Sequence, residues 1–188
     1  MKKILRGMQE KKQLIGIYIN PNNTFGFIVG YVMEVDAEFF AFSMISETGM
    51  DDGVIILPIC DIIKIEESSK YLNKIEKLIS CRDSGCRSIS PSIHGLIYGT
   101  LDFLKDKRIL TSIGITSVQN HNREDTTGFI VAVDVNTCTV QKYSQYGLED
   151  GVAYFELNRI KRIEYDTSYE VTLQRLIRIL DNEKRIRH

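Results

Sequence analysis

The sequence predicts a mainly β chain with flanking helices, built as two tandem copies of one small five-stranded barrel. Three observations predict it. Shifted by 98 positions, residues 30–79 lie on 128–177 without a gap, and fourteen of those fifty positions are identical, where chance pairing at average composition gives roughly three. Each copy carries short stretches of alternating apolar residues broken by turn residues, the period of half-buried strands. Each copy also opens and closes with a segment of helical periodicity. Repetition of this kind sets the architecture before any single motif is considered.

The first copy, 1–81, opens with an amphipathic segment at 2–12. Its Leu5 and Met8 match Leu101 and Leu104 of the second copy, 97–188, on one helix face. A strand follows at 14–19, matched by 110–115. The turn residues Asn20-Pro21-Asn22-Asn23 end the first, and a polar loop over 117–127 ends the second. The next strand alternates Tyr31, Met33 and Val35, matched by Phe129, Val131 and Val133. Gly30 and Gly128 open this stretch, where a bulge or bend is expected. Asp36 and Asp134 end it at a turn. A third strand covers 38–46 or 136–144. Asp52-Gly53 and Asp150-Gly151 then read as tight turns, because Gly supplies positive φ. A fourth strand covers 54–57 or 152–155, and a short break precedes a fifth at 62–66 or 160–164. A helix closes each copy. Thr167-x-x-Glu170 is a capping box, followed by an apolar stripe of Tyr169, Leu173, Leu176, Ile177 and Leu180. Ser68 or Ser69 caps the first copy's helix, with Tyr71, Ile75, Leu78 and Ile79 as its stripe. A Ser- and Gly-bearing linker, 82–96, joins the copies.

Five short strands, a long bent second strand and a break before the last strand describe an SH3-like barrel, and the pattern resembles the Sm-like branch of that class. The resemblance rests on Gly30, Val32, Val35, Asp36, Gly53, Ile62 and Ile65, and again on Gly128, Ile130, Val133, Asp134, Gly151, Ile160 and Ile163. It implies small barrels and single-stranded RNA as a partner. The RNA-contacting Asn between strands two and three is replaced by Ala37-Glu38 and Val135-Asn136, and the Arg-Gly pair before the last strand by Cys60-Asp61 and Asn158-Arg159.

Composition narrows the function. Lys and Arg total 24 against 25 Asp and Glu, a net charge of −1, so nothing overall demands a polyanionic partner. Basic residues gather near the ends, at Lys2, Lys3, Arg6, Lys11 and Lys12, and at Arg175, Arg178, Lys184, Arg185 and Arg187, where solvated helix faces account for them. No apolar run approaches a membrane span, and Met1-Lys2-Lys3-Ile4-Leu5-Arg6 has no apolar segment behind it to make a secretory signal. A cytoplasmic chain with no membrane partner is expected. Cys60, Cys81, Cys86 and Cys138 then read as free thiols. Cys81 and Cys86 with His94 lack a zinc spacing, so no metal or other cofactor is expected.

No catalytic constellation stands out. His94, His121 and His188 are the only histidines and none is duplicated. A Cys86–His94 pair lacks a recognisable oxyanion site. Gly49 to Gly53 lacks the Lys and precedes a strand, so it is no phosphate loop. The duplicated acids Asp36/Asp134, Asp52/Asp150 and Glu66/Glu164 read as structural. Divergence between copies points to binding instead. Lys142, Tyr143, Tyr146, Arg159, Lys161 and Arg162 make the second copy basic and tyrosine-bearing, a combination that suits single-stranded RNA or DNA. Met44, Ile45 and Ile63 of the first copy suit a protein partner. The expected function is a non-enzymatic protein-interaction, inhibitor or assembly module. The alternative is an Sm-like nucleic-acid binder using the basic face.

Overall fold

The computed structural model describes residues 1–19, 27–80, 94–115 and 125–186. The turn at 20–23, residues 82–93 of the linker, most of the 117–127 loop, Cys81, Cys86, His121 and His188 lie outside the described residues.

The first half runs α1 (Lys2–Lys11), β1 (Ile15–Tyr18), β2 (Phe27–Val35), β3 (Phe39–Ile45), β4 (Asp51–Pro58), β5 (Lys64–Glu67) and α2 (Lys70–Ser80). The second half repeats the order as α3 (Leu96–Lys107), β6 (Thr111–Gly114), β7 (Thr126–Val133), β8 (Thr137–Tyr143), β9 (Glu149–Glu156), β10 (Arg162–Tyr165) and α4 (Ser168–Ile186). The predicted break before each last strand is a single 3-10 turn, at Ile59–Asp61 and Leu157–Arg159. Even the helix ends repeat. Lys12 and Arg108 close α1 and α3 in the left-handed region, and Ser68 and Asp166 occupy that region ahead of α2 and α4.

The chain is mainly β with flanking helices, but its strands form one open antiparallel sheet of ten, ordered β5-β1-β2-β3-β4-β10-β6-β7-β8-β9. The two five-stranded halves predicted as tandem barrels are joined edge to edge in this one sheet. The outer edge of β4 pairs not with β5 but with β10 of the other half, through Ile56↔Ile163, Ile55↔Glu164 and Val54↔Tyr165. The physical reason is burial. Val54, Ile56 and Ile163 are fully buried and Tyr165 is 3% exposed, and sequestering a side chain of this size contributes roughly 1.5–3 kcal/mol. One core accordingly crosses the seam, joining Ala41, Val54 and Ile56 to Ile113, Ile130, Ile163 and the α3 residues Leu101 and Leu104.

Gly30 and Gly128 open no bulge of their own. They sit where β2 meets β3 and β7 meets β8 so closely that a Cβ would lie 1.8 Å from the Ser43 carbonyl oxygen or 2.1 Å from that of Gln141. The bulge comes later, at the register shifts between Val32 and Glu34 and between Ile130 and Ala132. Asp52-Gly53 and Asp150-Gly151 are not the hairpin turns either. Those turns lie at 46–50 and 144–148, closed by Gly49 and Gly147. Asp52-Gly53 instead stands as the extra pair opposite Met44, a bulge inside β4 that needs the positive φ of Gly53. Tyr71 and Tyr169 fall outside the buried helix stripes, at 38% and 49% exposure, while Leu72 replaces Tyr71 in the core. Thr167 and Glu170 meet at the start of α4, but side chain to side chain rather than through the reciprocal backbone bonds of a capping box. The Thr167 hydroxyl bonds Glu170, whose other oxygen accepts from Ser112 Oγ at 2.6 Å, and the Tyr169 N–H bonds the Thr167 hydroxyl.

The duplicated aspartates hold matching turns. Asp36 Oδ1 accepts from the N–H groups of Glu38 and Phe39, and Asp134 Oδ1 from those of Asn136 and Thr137. Their second oxygens differ. That of Asp134 takes the Thr137 hydroxyl, and these bonds hold its carboxyl below the ordinary range. Asp36 Oδ2 accepts the Leu96 N–H at 2.8 Å, at the start of α3 in the other half. Asp36 therefore caps a helix sixty residues away. Asp36→Ala is expected to lower unfolding free energy by about 1–2 kcal/mol and Asp36→Asn by less, as read by urea denaturation.

Candidate functional site

Among the described residues the open ten-stranded sheet has two uncovered edges, β5 and β9. Unpaired N–H and C=O groups on such an edge are a template for another strand. Proteins usually blunt them with short strands, charges or proline. Strand β5 is short and carries Lys64, Glu66 and Glu67. Strand β9 is eight residues long, and its middle reads Val152-Ala153-Tyr154-Phe155.

Because the halves are duplicates, β9 can be compared position by position with β4, whose edge is covered. Val54 and Ile56 are fully buried, whereas Val152 is 45% and Tyr154 79% exposed. The side chains remain apolar although nothing described covers them. Gly53 and Gly151 show the same contrast. A Cβ on Gly53 would lie 2.5 Å from the Thr167 backbone nitrogen, while one on Gly151 would meet nothing within 4 Å.

At the other edge, Lys64 Nζ lies 3.1 Å from Glu66 and 4.8 Å from the centre of the Tyr18 ring, while the Tyr18 hydroxyl donates to Glu66 at 3.0 Å. The bonds from Lys64 and Tyr18 hold the Glu66 carboxyl below its ordinary range. The corresponding Arg162–Glu164 pair, 2.8 Å apart, is buried in the seam. The same acid–base pair thus stands on both β5 and β10, once facing solvent and once covered.

The predicted basic face does not converge. Arg162 is 1% exposed and ion-paired to Asp125 and Glu164. Strand β10 is covered on both faces, so all four of its residues are buried, while Lys161, just ahead of it, is exposed. Lys142 is paired to Asp150 at 3.2 Å and Arg159 lies 3.7 Å from Glu156. These two bases also belong to opposite ends of β8, because Lys142 precedes the 144–148 turn while the Leu157 N–H beside Arg159 bonds the Asn136 carbonyl. Tyr143 packs edge-on against Phe129 and donates to Glu149 at 3.4 Å. Tyr146 stands 68% exposed in the turn.

The candidate protein-contact residues divide as well. Met44 and Ile45 are half-buried against the first half's core and α2 respectively, and only Ile63 is well exposed, at 50%. Sequence reasoning passed over Val152 and Tyr154. A signal existed in the four consecutive apolar residues at 54–57 and 152–155, since such a run calls for cover beyond one face.

Among the described residues no group of three His, Cys, Asp or Glu side chains is placed to hold a metal. Cys60 is exposed and Cys138 buried, with burial pushing the Cys138 thiol up to about 12. His94 rests against the Tyr98 ring at 5.0 Å. Among the described residues no helix is long and apolar enough to cross a membrane. No protein-family model matches the chain, and no curated protein matches it either.

Proposed function

We propose that the chain is a non-catalytic assembly module that binds another protein by adding a strand to its sheet. In this reading each five-stranded half is one SH3-like, Sm-like barrel unit, opened where the two units join. The supporting observation is the β9 edge, where Val152 and Tyr154 stand exposed at positions whose duplicates, Val54 and Ile56, are fully buried. Edge pairing of this kind draws affinity from main-chain hydrogen bonds and specificity from alternate side chains. The nucleic-acid reading loses support from the burial of Arg162 and the scatter of Lys142 and Arg159.

The test compares two partners. Labelled single-stranded RNA and DNA are titrated at low and moderate salt and followed by anisotropy. Wild type and V152K/Y154K are then used as baits for protein capture from the native host. The expected result is no salt-sensitive nucleic-acid binding at about 10 μM or below, with a captured protein lost from the double variant. Submicromolar nucleic-acid binding that disappears when Lys142, Arg159 and Lys161 are changed to Glu would overturn the proposal.

A further inference from the structure

The seam inside the chain is a head-to-tail contact. The β4 edge of one unit meets the last strand of the next, and the β10–α4 turn of that next unit rests on the bulge glycine. Both faces of this contact recur at the ends of the sheet, with no described residue covering them. The edge equivalent to β4 is β9, and the strand equivalent to β10 is β5. We infer that the free β9 edge of one copy pairs with the free β5 edge of a second copy, repeating the internal seam between molecules. This rests on the assembly reading above and names its partner.

The register follows from the 98-residue offset. Ile56↔Ile163, Ile55↔Glu164 and Val54↔Tyr165 become Tyr154↔Ile65, Ala153↔Glu66 and Val152↔Glu67. The flanking geometry is also preserved. Asp166, whose backbone lies against Gly53, has φ 57°, and its duplicate Ser68 has φ 55°. The turn that would rest on Gly151 therefore already has the required shape, and the space above Gly151 is open to receive it. Charge favours one end of the contact, while Glu67 takes the place that the buried Tyr165 holds in the internal seam. The acidic start of β9, Glu149 and Asp150, falls opposite the start of α2 with its exposed Lys70. A contact between two different patches propagates into a ring if its rotation closes and into a filament if it does not.

Sedimentation velocity of the full chain over a wide concentration range reads the assembly. The expected masses are whole multiples of 21.6 kDa. Two variants block one edge each at exposed positions. V152K/Y154K charges the β9 edge, and I63D/K70E sets acids against Glu149, Asp150 and Glu156. Each alone is expected to sediment as a monomer with an unchanged far-ultraviolet spectrum. Mixed, they retain one intact edge apiece and should form a one-to-one dimer. Amide exchange across 152–155 of the wild type should slow with concentration, which checks the contact without any substitution. A monomer at every concentration overturns the inference, as does an oligomer that both variants leave intact or a mixture that fails to dimerise. If the wild type is monomeric yet V152K/Y154K still abolishes capture of a different protein, the assembly reading survives without this partner. If that capture is also unaffected, both fall.

Discussion

Replacing Gly30 by Ala is expected to cost about 3 kcal/mol, the upper end of ordinary overpacking. A Cβ there would sit 1.8 Å from the Ser43 carbonyl oxygen and 2.8 Å from its carbon. Both are backbone atoms of the facing strand, so no rotamer change relieves the clash and β2 and β3 must separate. Gly128→Ala meets the Gln141 carbonyl oxygen at 2.1 Å and should cost a similar amount. Gly7 is the control. It lies in α1 with nothing within 4 Å of a Cβ, so Gly7→Ala is expected to stabilise by about 0.5–1 kcal/mol. Urea denaturation of the three variants checks the order. A Gly30→Ala protein as stable as wild type would show that the strands approach less closely than described.

Arg162→Ala is expected to cost about 3–5 kcal/mol, because removing one member of a buried ion pair leaves an uncompensated charge. Arg162 is 1% exposed, and both Glu164 and Asp125 take its charge. The large loss is a penalty of leaving Glu164 behind, rather than the net value of the pair. R162M/E164M should therefore be less destabilised than the sum of the two single variants, as a double-mutant cycle would read. Additivity of the two losses would mean that the pair is solvated.

Element order, helix positions and the duplicated turns were legible in the sequence because each is local. Alternation places strands, Thr167 and Glu170 mark a helix start, and Asp36 and Asp134 each bond the amides two and three residues on. The offset of 98 holds in the register itself, since Gly30↔Met44 and Gly128↔Lys142 are the same pair. The seam was not legible because a strand's own residues do not say which strand covers its outer edge. Val54 and Val152 are identical, yet one is buried and one is not. The candidate site failed in the same way. Arg159, Lys161 and Arg162 cluster in sequence, but Arg162 begins a strand that is covered on both faces, and its partner Asp125 comes from a segment read as loop. The sequence marks Gly53 as a positive-φ residue but not the feature it belongs to, because both a hairpin turn and a bulge require that conformation.

Carrying the β4–β10 seam within one polypeptide gives it a property that the same contact between separate molecules lacks. Its formation is unimolecular, so dilution does not dissolve it. Joining segments in one chain supplies an effective concentration in the millimolar range for short flexible connections. An intermolecular copy of the seam has no such supply and must answer to the amount of protein present. One kind of joint would then serve two ends: a permanent one that makes the subunit, and a dose-dependent one that counts how many subunits are there.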